Sequence, residues 1–369
     1  MSESRAMRLV LEDGTELEGR AFGAGRAVGG EVVFNTAMTG YVEALTDPSY
    51  RGQILVLTYP LVGNYGVPAT RAPGTLDGPY ESDRIQVQGL VVQSYVADYS
   101  HHAATRSLGQ WLGASGVPAI EGVDTRTLTR RLRERGTMRG WLLPAAGDAE
   151  RDRRAAETVD MKDVWRLVAP SETRRYPGGP LRVLLVDAGA KDHMVRSLLR
   201  RGATVVRAPY HADLAPLSRE ADGIVIGNGP GDPKDCEILI AQTRTLLGSY
   251  ERPIFGICLG NQILALAAGG DTTKLPYGHR GVNQPVQDLL TRRCYVTSQN
   301  HGYVVREEAL PSDWEPWFVN VNDGSNEGVR SRHRPFMSVQ FHPEAHPGPE
   351  EAGYLFDDFM RLVGAMARS

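Results

Sequence analysis

The sequence is poor in cysteine, in long apolar runs and in charge of one sign. Three cysteines in 369 residues, Cys236, Cys258 and Cys294, cannot build a disulfide framework. So low a count suits a reducing cytoplasm, where a thiol stays usable. No segment approaches the ~18 consecutive apolar residues of a membrane span. Met1 to Met7 lacks the apolar stretch of a signal peptide. No membrane partner is therefore expected. The net charge of −3 gives no reason to expect a nucleic acid partner either. The densest basic patch, Arg131-Leu132-Arg133-Glu134-Arg135, is interrupted by an acid and reads as the solvated end of a helix. No internal repeat or low-complexity tract is present.

What is there suits a globular chain. With 41% hydrophobic and 23% charged residues, 369 residues are enough for two domains, each with its own core. Residues 1–150 form the first and are β-rich at the start. Arg8 to Leu11 and Glu16 to Gly19 flank Asp13-Gly14, a hairpin signal. Val32 to Asn35, Gln53 to Thr58 and Gln88 to Val92 read as further strands, and Ser107 opens a helix. Asp124 caps another, with leucines four apart at Leu128 and Leu132. Residues 151–180 read as a linker, ending in the turn-rich Tyr176-Pro177-Gly178-Gly179-Pro180. Residues 181–369 begin with the strand Leu181–Asp187, a helix over His193–Arg201 and the strand Ala203–Arg207, a βαβ unit. The fold class is α/β, the second domain a mostly parallel open sheet with its chemistry at the carboxyl ends of the strands.

Ile254 to Ile257 is short and apolar, as a buried strand should be, and Leu259 to Ala268 reads as a helix. Cys258 sits between them, with Gly256 two residues before and Gly260 two after. The layout is the thiol counterpart of the G-x-S-x-G elbow, in which a sharp turn pushes the nucleophile outward. The glycines would keep Cβ atoms out of the crowded approach at the turn, and the helix N-terminus would favour a thiolate. The bland alternative is a buried, inert cysteine flanked by packing glycines.

A thiolate needs a base, and the base an acid that holds it in one tautomer. His342-Pro343-Glu344 follows the strand Met337–Phe341. Pro343 biases His342 to extended backbone, where residues two apart point to one side. His301 is the rival base but brings no neighbouring carboxylate. The Gly227–Pro233 loop, with Gly229 and Gly231, exposes backbone N–H groups suited to an oxyanion or to a phosphate. Gln262 shares the helix face of Cys258, four residues on. Metal binding is the weaker idea. Pro343 and Pro347 prevent the helix that would align His342 with His346, and the adjacent His101 and His102 should diverge. His193, His211, His279 and His333 read as surface or packing residues.

Gly256-Ile257-Cys258-Leu259-Gly260-Asn261-Gln262, with His342-Pro343-Glu344 downstream, resembles the class I (triad-type) glutamine amidotransferase domain. The N-terminal half is similar to the small, glutamine-hydrolysing chains of carbamoyl-phosphate synthetases, over Glu31 to Tyr41, Leu45 to Tyr50, Leu57 to Pro60 and Asp124 to Arg130. The resemblance covers nearly the whole chain and is weakest over 67–85 and 140–178. It implies that Cys258 attacks the side-chain amide of L-glutamine, with His342 as base then acid and Glu344 as its orienter. It implies an oxyanion hole from the N–H groups of Leu259 and Gly229. Gln262, Asn300, Gly302, Tyr303 and Gly231 would hold the glutamine, and Ser49 would reach across from the first domain. Ammonia would pass to a separate large synthetase chain that makes carbamoyl phosphate for arginine and pyrimidine synthesis. No cofactor or metal is implied in this chain; ATP and a divalent metal belong to the large one. Two departures stand out: Tyr303 where the family has Phe, and a varied Gly278–Pro285 segment. An amidotransferase feeding another synthase, or a scaffold with a fossil site, would be the alternatives. The N-terminal half argues against the first, and the intact Cys258, His342 and Glu344 against the second.

Overall fold

The computed structural model describes residues 6–72 and 74–367. Residues 1–5, most of the stretch read for a leader, lie outside the described residues. The chain divides into two units, Met1–Met161 and Lys162–Ser369.

In the first unit seven strands close a barrel. They are β1 (Ala6–Leu11), β2 (Glu16–Ala21), β3 (Val28–Asn35), β4 (Gln53–Leu57), β5 (Gly89–Val91), β6 (Ala119–Glu121) and β7 (Met138–Pro144). Their order around the barrel is β1-β7-β3-β4-β5-β6-β2. Asp13-Gly14 turns β1 into β2, with Gly14 at φ 84°, a conformation that costs an L side chain ~1–2 kcal/mol. Helices accompany the strands, among them α1 (Tyr41–Thr46), α2 (Leu108–Ala114) and α3 (Thr125–Arg135). Ser107 and Gln110 form a reciprocal capping box at α2. The Asp124 carboxylate accepts from Thr127 N at 2.9 Å at the start of α3. Leu128 and Leu132 are buried, together with Thr125. Arg131 and Arg135 reach Asp13, so the basic patch is the surface end of a helix. The sequence reading passed over β6 and β7.

Residues 151–180 carry structure of their own. A helical turn over Ala149–Ala155 is capped by Asp148. Glu157 O accepts from Gly29 N at 2.8 Å within the first unit. The strand β8 (Arg174–Tyr176) belongs to the sheet of the second.

That sheet has ten strands: β8, β9 (Leu181–Asp187), β10 (Ala203–Pro209), β11 (Gly223–Ile226), β12 (Ile254–Ile257), β13 (Asp271–Asp288), β14 (Cys294–Arg306), β15 (Trp314–Asn320), β16 (Asn326–Ser331) and β17 (Phe336–Val339). The order is β8-β10-β9-β11-β12-β17-β16-β15-β13-β14. The five strands from β10 to β17 in that order run parallel. Every other pairing is antiparallel. The expectation of a mostly parallel sheet is therefore corrected to a mixed one. The reason lies in the side chains. Central strands such as Ile224–Ile226 and Ile254–Ile257 are buried throughout, as continuous apolar runs allow. The outer strands mix polar and apolar positions and join through hairpins, with register shifts between Lys274 and His279 and between Gly281 and Gln284. Those shifts blur the alternation that announces a strand. Helices α4 (Asp192–Arg200), α5 (Leu214–Glu220), α6 (Glu237–Ser249), α7 (Leu259–Ala268) and α8 (Tyr354–Met366) complete the unit. No helix among the described residues is long and apolar enough to cross a membrane.

Candidate active site

Cys258 is the only residue between β12 and α7, at φ 56° and ψ −104°. A non-glycine residue held there is strained by ~1–3 kcal/mol, so its surroundings must fix it. Its N–H donates to Val339 O at 2.8 Å, and its carbonyl accepts from Asn261 N and Gln262 N at 3.1 and 3.3 Å. The flanking glycines serve packing. A Cβ on Gly256 would lie 2.5 Å from Gly260 O, and one on Gly260 would lie 2.0 Å from Ile226 O. Both let α7 close onto the strands, a crowded approach with no room for a Cβ. The side chain is not pushed out to the surface: Cys258 is 2% exposed. Its thiol donates to Asn300 O of β14 at 3.7 Å. The antiparallel part of the sheet, which the sequence did not announce, supplies this neighbour.

His342 leaves the end of β17, with its N–H on Ser298 O at 2.9 Å. Its Nδ1 lies 2.6 Å from Glu344 Oε1, the side-by-side pairing that Pro343 favours. Nε2 makes no hydrogen bond, nor does Glu344 Oε2. Burial opposes the imidazolium, but the charge of Glu344, then that of Cys258, pushes His342 up to about 10. Burial likewise opposes the Glu344 carboxylate, which Lys191, then His342, holds down to about 2. Lys191, buried at the start of α4, has its Nζ 2.5 Å from Ala345 O and 3.3 Å from Glu344 Oε1. Its N–H donates to Asn228 Oδ1 at 2.9 Å. Sequence reasoning missed Lys191. Its position, just beyond the carboxyl end of the parallel strand β9, was the available signal.

His301 is engaged on both sides: Nδ1 on Tyr303 O and Nε2 on Gln299 Oε1, each at 3.0 Å. Burial, then the neighbouring His279, holds its imidazole well below the ordinary range. The two rival bases thus shift in opposite directions, and of the two only His342 has a ring nitrogen without a hydrogen-bond partner.

Of the residues expected around a substrate, Gln262 donates to Tyr303 O at 2.8 Å. Gly229 abuts Leu259: a Cβ there would lie 2.8 Å from Leu259 Cδ2 and 2.4 Å from Ala188 O. Leu259 opens α7, where the first N–H groups have no intrahelical partner. Gly231, at φ 88°, packs near Val164 and Trp165, and Gly302 lies beside Arg280. Ser49 belongs to the first unit, its N–H on Asp47 Oδ1 at 2.9 Å.

The histidines give one correction. The rings of His101 and His102 lie 4.4 Å apart at 32° and do not diverge. His193, read as surface or packing, is buried and stacks on His346 at 3.5 Å. His279 is also buried. Among the described residues of the second unit, His279, His301 and Glu327 bring potential metal ligands within 4.8 Å of one another. Protein partners already engage these groups. His279 Nε2 lies 2.8 Å from Asp323, and Glu327 Oε1 accepts from Asn320 Nδ2 at 2.8 Å.

Residues 9–142 match the family described as carbamoyl-phosphate synthase small chain, CPSase domain, and residues 184–362 match glutamine amidotransferase class-I. The chain is 45% identical to the carbamoyl phosphate synthase arginine-specific small chain of Emericella nidulans, covering 96% of this chain and 79% of that one. Its identity to the chain of the same description from Aspergillus fumigatus is 46%, with the same coverage. It is also 45% identical to the multifunctional protein pyrABCN of Emericella nidulans, over 98% of this chain but only 17% of that much longer protein. The chain thus belongs to the carbamoyl-phosphate synthase small-chain family, and its second unit carries the class-I glutamine amidotransferase domain.

Proposed function

We propose that this chain is the glutamine-hydrolysing subunit of a carbamoyl-phosphate synthase and works through a Cys258 thioester. The observation that carries the reading is a strained cysteine at the end of β12, whose neighbouring strand β17 leads into an imidazole paired at 2.6 Å to a carboxylate. With the thiol proton already held on His342, the Cys258 thiolate attacks the side-chain amide carbon of glutamine. The N–H groups of Leu259 and Gly229 meet the oxyanion. The C–N bond breaks as His342 returns its proton to the nitrogen, which leaves as ammonia. Water, deprotonated by His342, then opens the thioester to glutamate and the free thiol. Glu344 holds the imidazole in one tautomer throughout. Gln262, Asn300, Gly302, Tyr303, Gly231 and Ser49 are the residues we assign to glutamine.

Ammonia in water near neutral pH is mostly protonated and no longer a nucleophile, so direct transfer to a large synthetase chain is part of the reading. That chain would bind ATP and a divalent metal, and this one needs neither. The arginine-specific relatives favour arginine synthesis, the pyrABCN relative a pyrimidine role as well. A cytoplasmic setting suits three free cysteines.

Cys258→Ser tests the proposal. Glutamine-dependent synthesis by the assembled complex should vanish while ammonia-dependent synthesis continues. Loss of both activities would make Cys258 a structural residue.

A further inference from the structure

Gln340 lies two residues before His342 and has no part in the steps above. Its side chain is fully buried. Oε1 accepts from Asn261 Nδ2 at 3.2 Å and from Gln262 Nε2 at 3.1 Å. Asn261 Oδ1 faces Ser338 Oγ at 2.8 Å, and Gln262 Nε2 also donates to Tyr303 O. Gln340 Nε2 has no partner at all. A buried donor without a partner costs ~1–3 kcal/mol, which a leucine of similar size would avoid. The oxygen of this amide, not its nitrogen, is what the position needs.

The polarity of the chain of amides follows from one group. Tyr303 O is a backbone carbonyl and can only accept, so the NH₂ end of Gln262 must face it. Turning Gln262 over would set its oxygen against Tyr303 O and Gln340 Oε1 together. Turning Gln340 over would set its NH₂ against the NH₂ of Gln262. A single orientation avoids every such clash, and it leaves Gln262 Oε1 as an acceptor that no donor among the described residues uses.

We propose that Gln340 is a positioning residue that locks the side-chain amide of Gln262, so that Gln262 offers a bound amino acid a carbonyl oxygen. The site then selects a substrate that presents an N–H donor at that point. This inference rests on the proposed glutamine hydrolysis and adds a determinant of its substrate binding. Without Gln340 the amide of Gln262 is held at one point only and can turn.

Steady-state hydrolysis of glutamine by the full chain tests it, using Q340L and Q340E. Q340L should raise KM about tenfold at nearly constant kcat, the equivalent of one neutral hydrogen bond. Q340E retains an acceptor oxygen and should bring KM back close to the wild-type value. A wild-type KM in Q340L, or a Q340E no better than Q340L, overturns the proposal. If Q340L does not fold, Q340M, of matching length, replaces it with the same expectations. Mass-mapping of a glutamine-shaped alkylator on the wild-type chain separates the two ideas. Absence of label at Cys258 defeats the hydrolysis itself, whereas label at Cys258 with an unchanged KM in Q340L defeats only the role of Gln340.

Discussion

The two units handle awkward backbone differently. Among the described residues of the barrel, every positive φ belongs to a glycine, as at Gly14, Gly122 and Gly136. In the second unit four non-glycine residues adopt positive φ: Cys258, Arg292, Ala345 and His346. Three of these four are Cys258 itself and the two residues that follow Glu344. Ion pairs show a related contrast, although the first unit also buries Glu81 and Asp47. Arg131–Asp13 and Arg26–Glu157 of the barrel lie at the surface, where an ion pair adds little. Lys191, Glu344 and His342 are buried together, and Arg207 bridges Asp187 and Asp192. Strain and desolvated charge oppose folding. Their concentration at one end of one sheet is what distinguishes a worked site from a scaffold.

Substitutions can break that contrast, and the largest effect is expected at the buried charges. Glu344→Gln removes the group that orients His342, so kcat for glutamine should fall by about 10²–10⁴-fold while ammonia-dependent synthesis is retained. A fall of less than a few-fold would mean that the pairing is structural. The pH dependence of stability is the next test. The raised pKa of His342 gives stabilisation that is complete below 6.5 and is lost as pH rises through about 10. Glu344 behaves in the opposite sense: its contribution is complete above 4.5 and is lost as pH falls towards about 2. The urea-unfolding difference between wild type and His342→Gln should therefore narrow from pH 6.5 to 10, by at most ~1.4 kcal/mol per pH unit. A difference that stays constant over that range contradicts the assignment. The smallest effect belongs to the barrel. An added Cβ at Gly14 meets nothing within 4 Å, but φ is 84°. Gly14→Ala should cost ~1 kcal/mol in unfolding free energy and leave glutamine hydrolysis unchanged. A neutral change would show that the hairpin relaxes.

Much of the site was legible because it is written in short stretches. Strand, cysteine and helix are consecutive, and His342 and Glu344 are two residues apart in a chain that Pro343 keeps extended. The caps at Ser107 and Asp124 were readable for the same reason. The antiparallel half of the second sheet was not. Its strands are long, half-polar and broken by register shifts, so no clean alternation marks them. Cys258 was read as exposed because the elbow describes only the backbone at that residue, whereas β14, some forty residues on, decides what lies beside the sulfur.

The sequence by itself determined the two-part organisation, the strand–cysteine–helix turn, the pairing of His342 with Glu344, and the family. These depend on backbone preferences over a few residues, which neighbours in the chain dictate. Only the tertiary structure decided that Lys191 would anchor Glu344 from 153 positions away, that Gln340 would hold Gln262 across 78, and that the sulfur would be covered. Such pairings form when separate strands and helices close on one another, and no local preference encodes which side chains then meet.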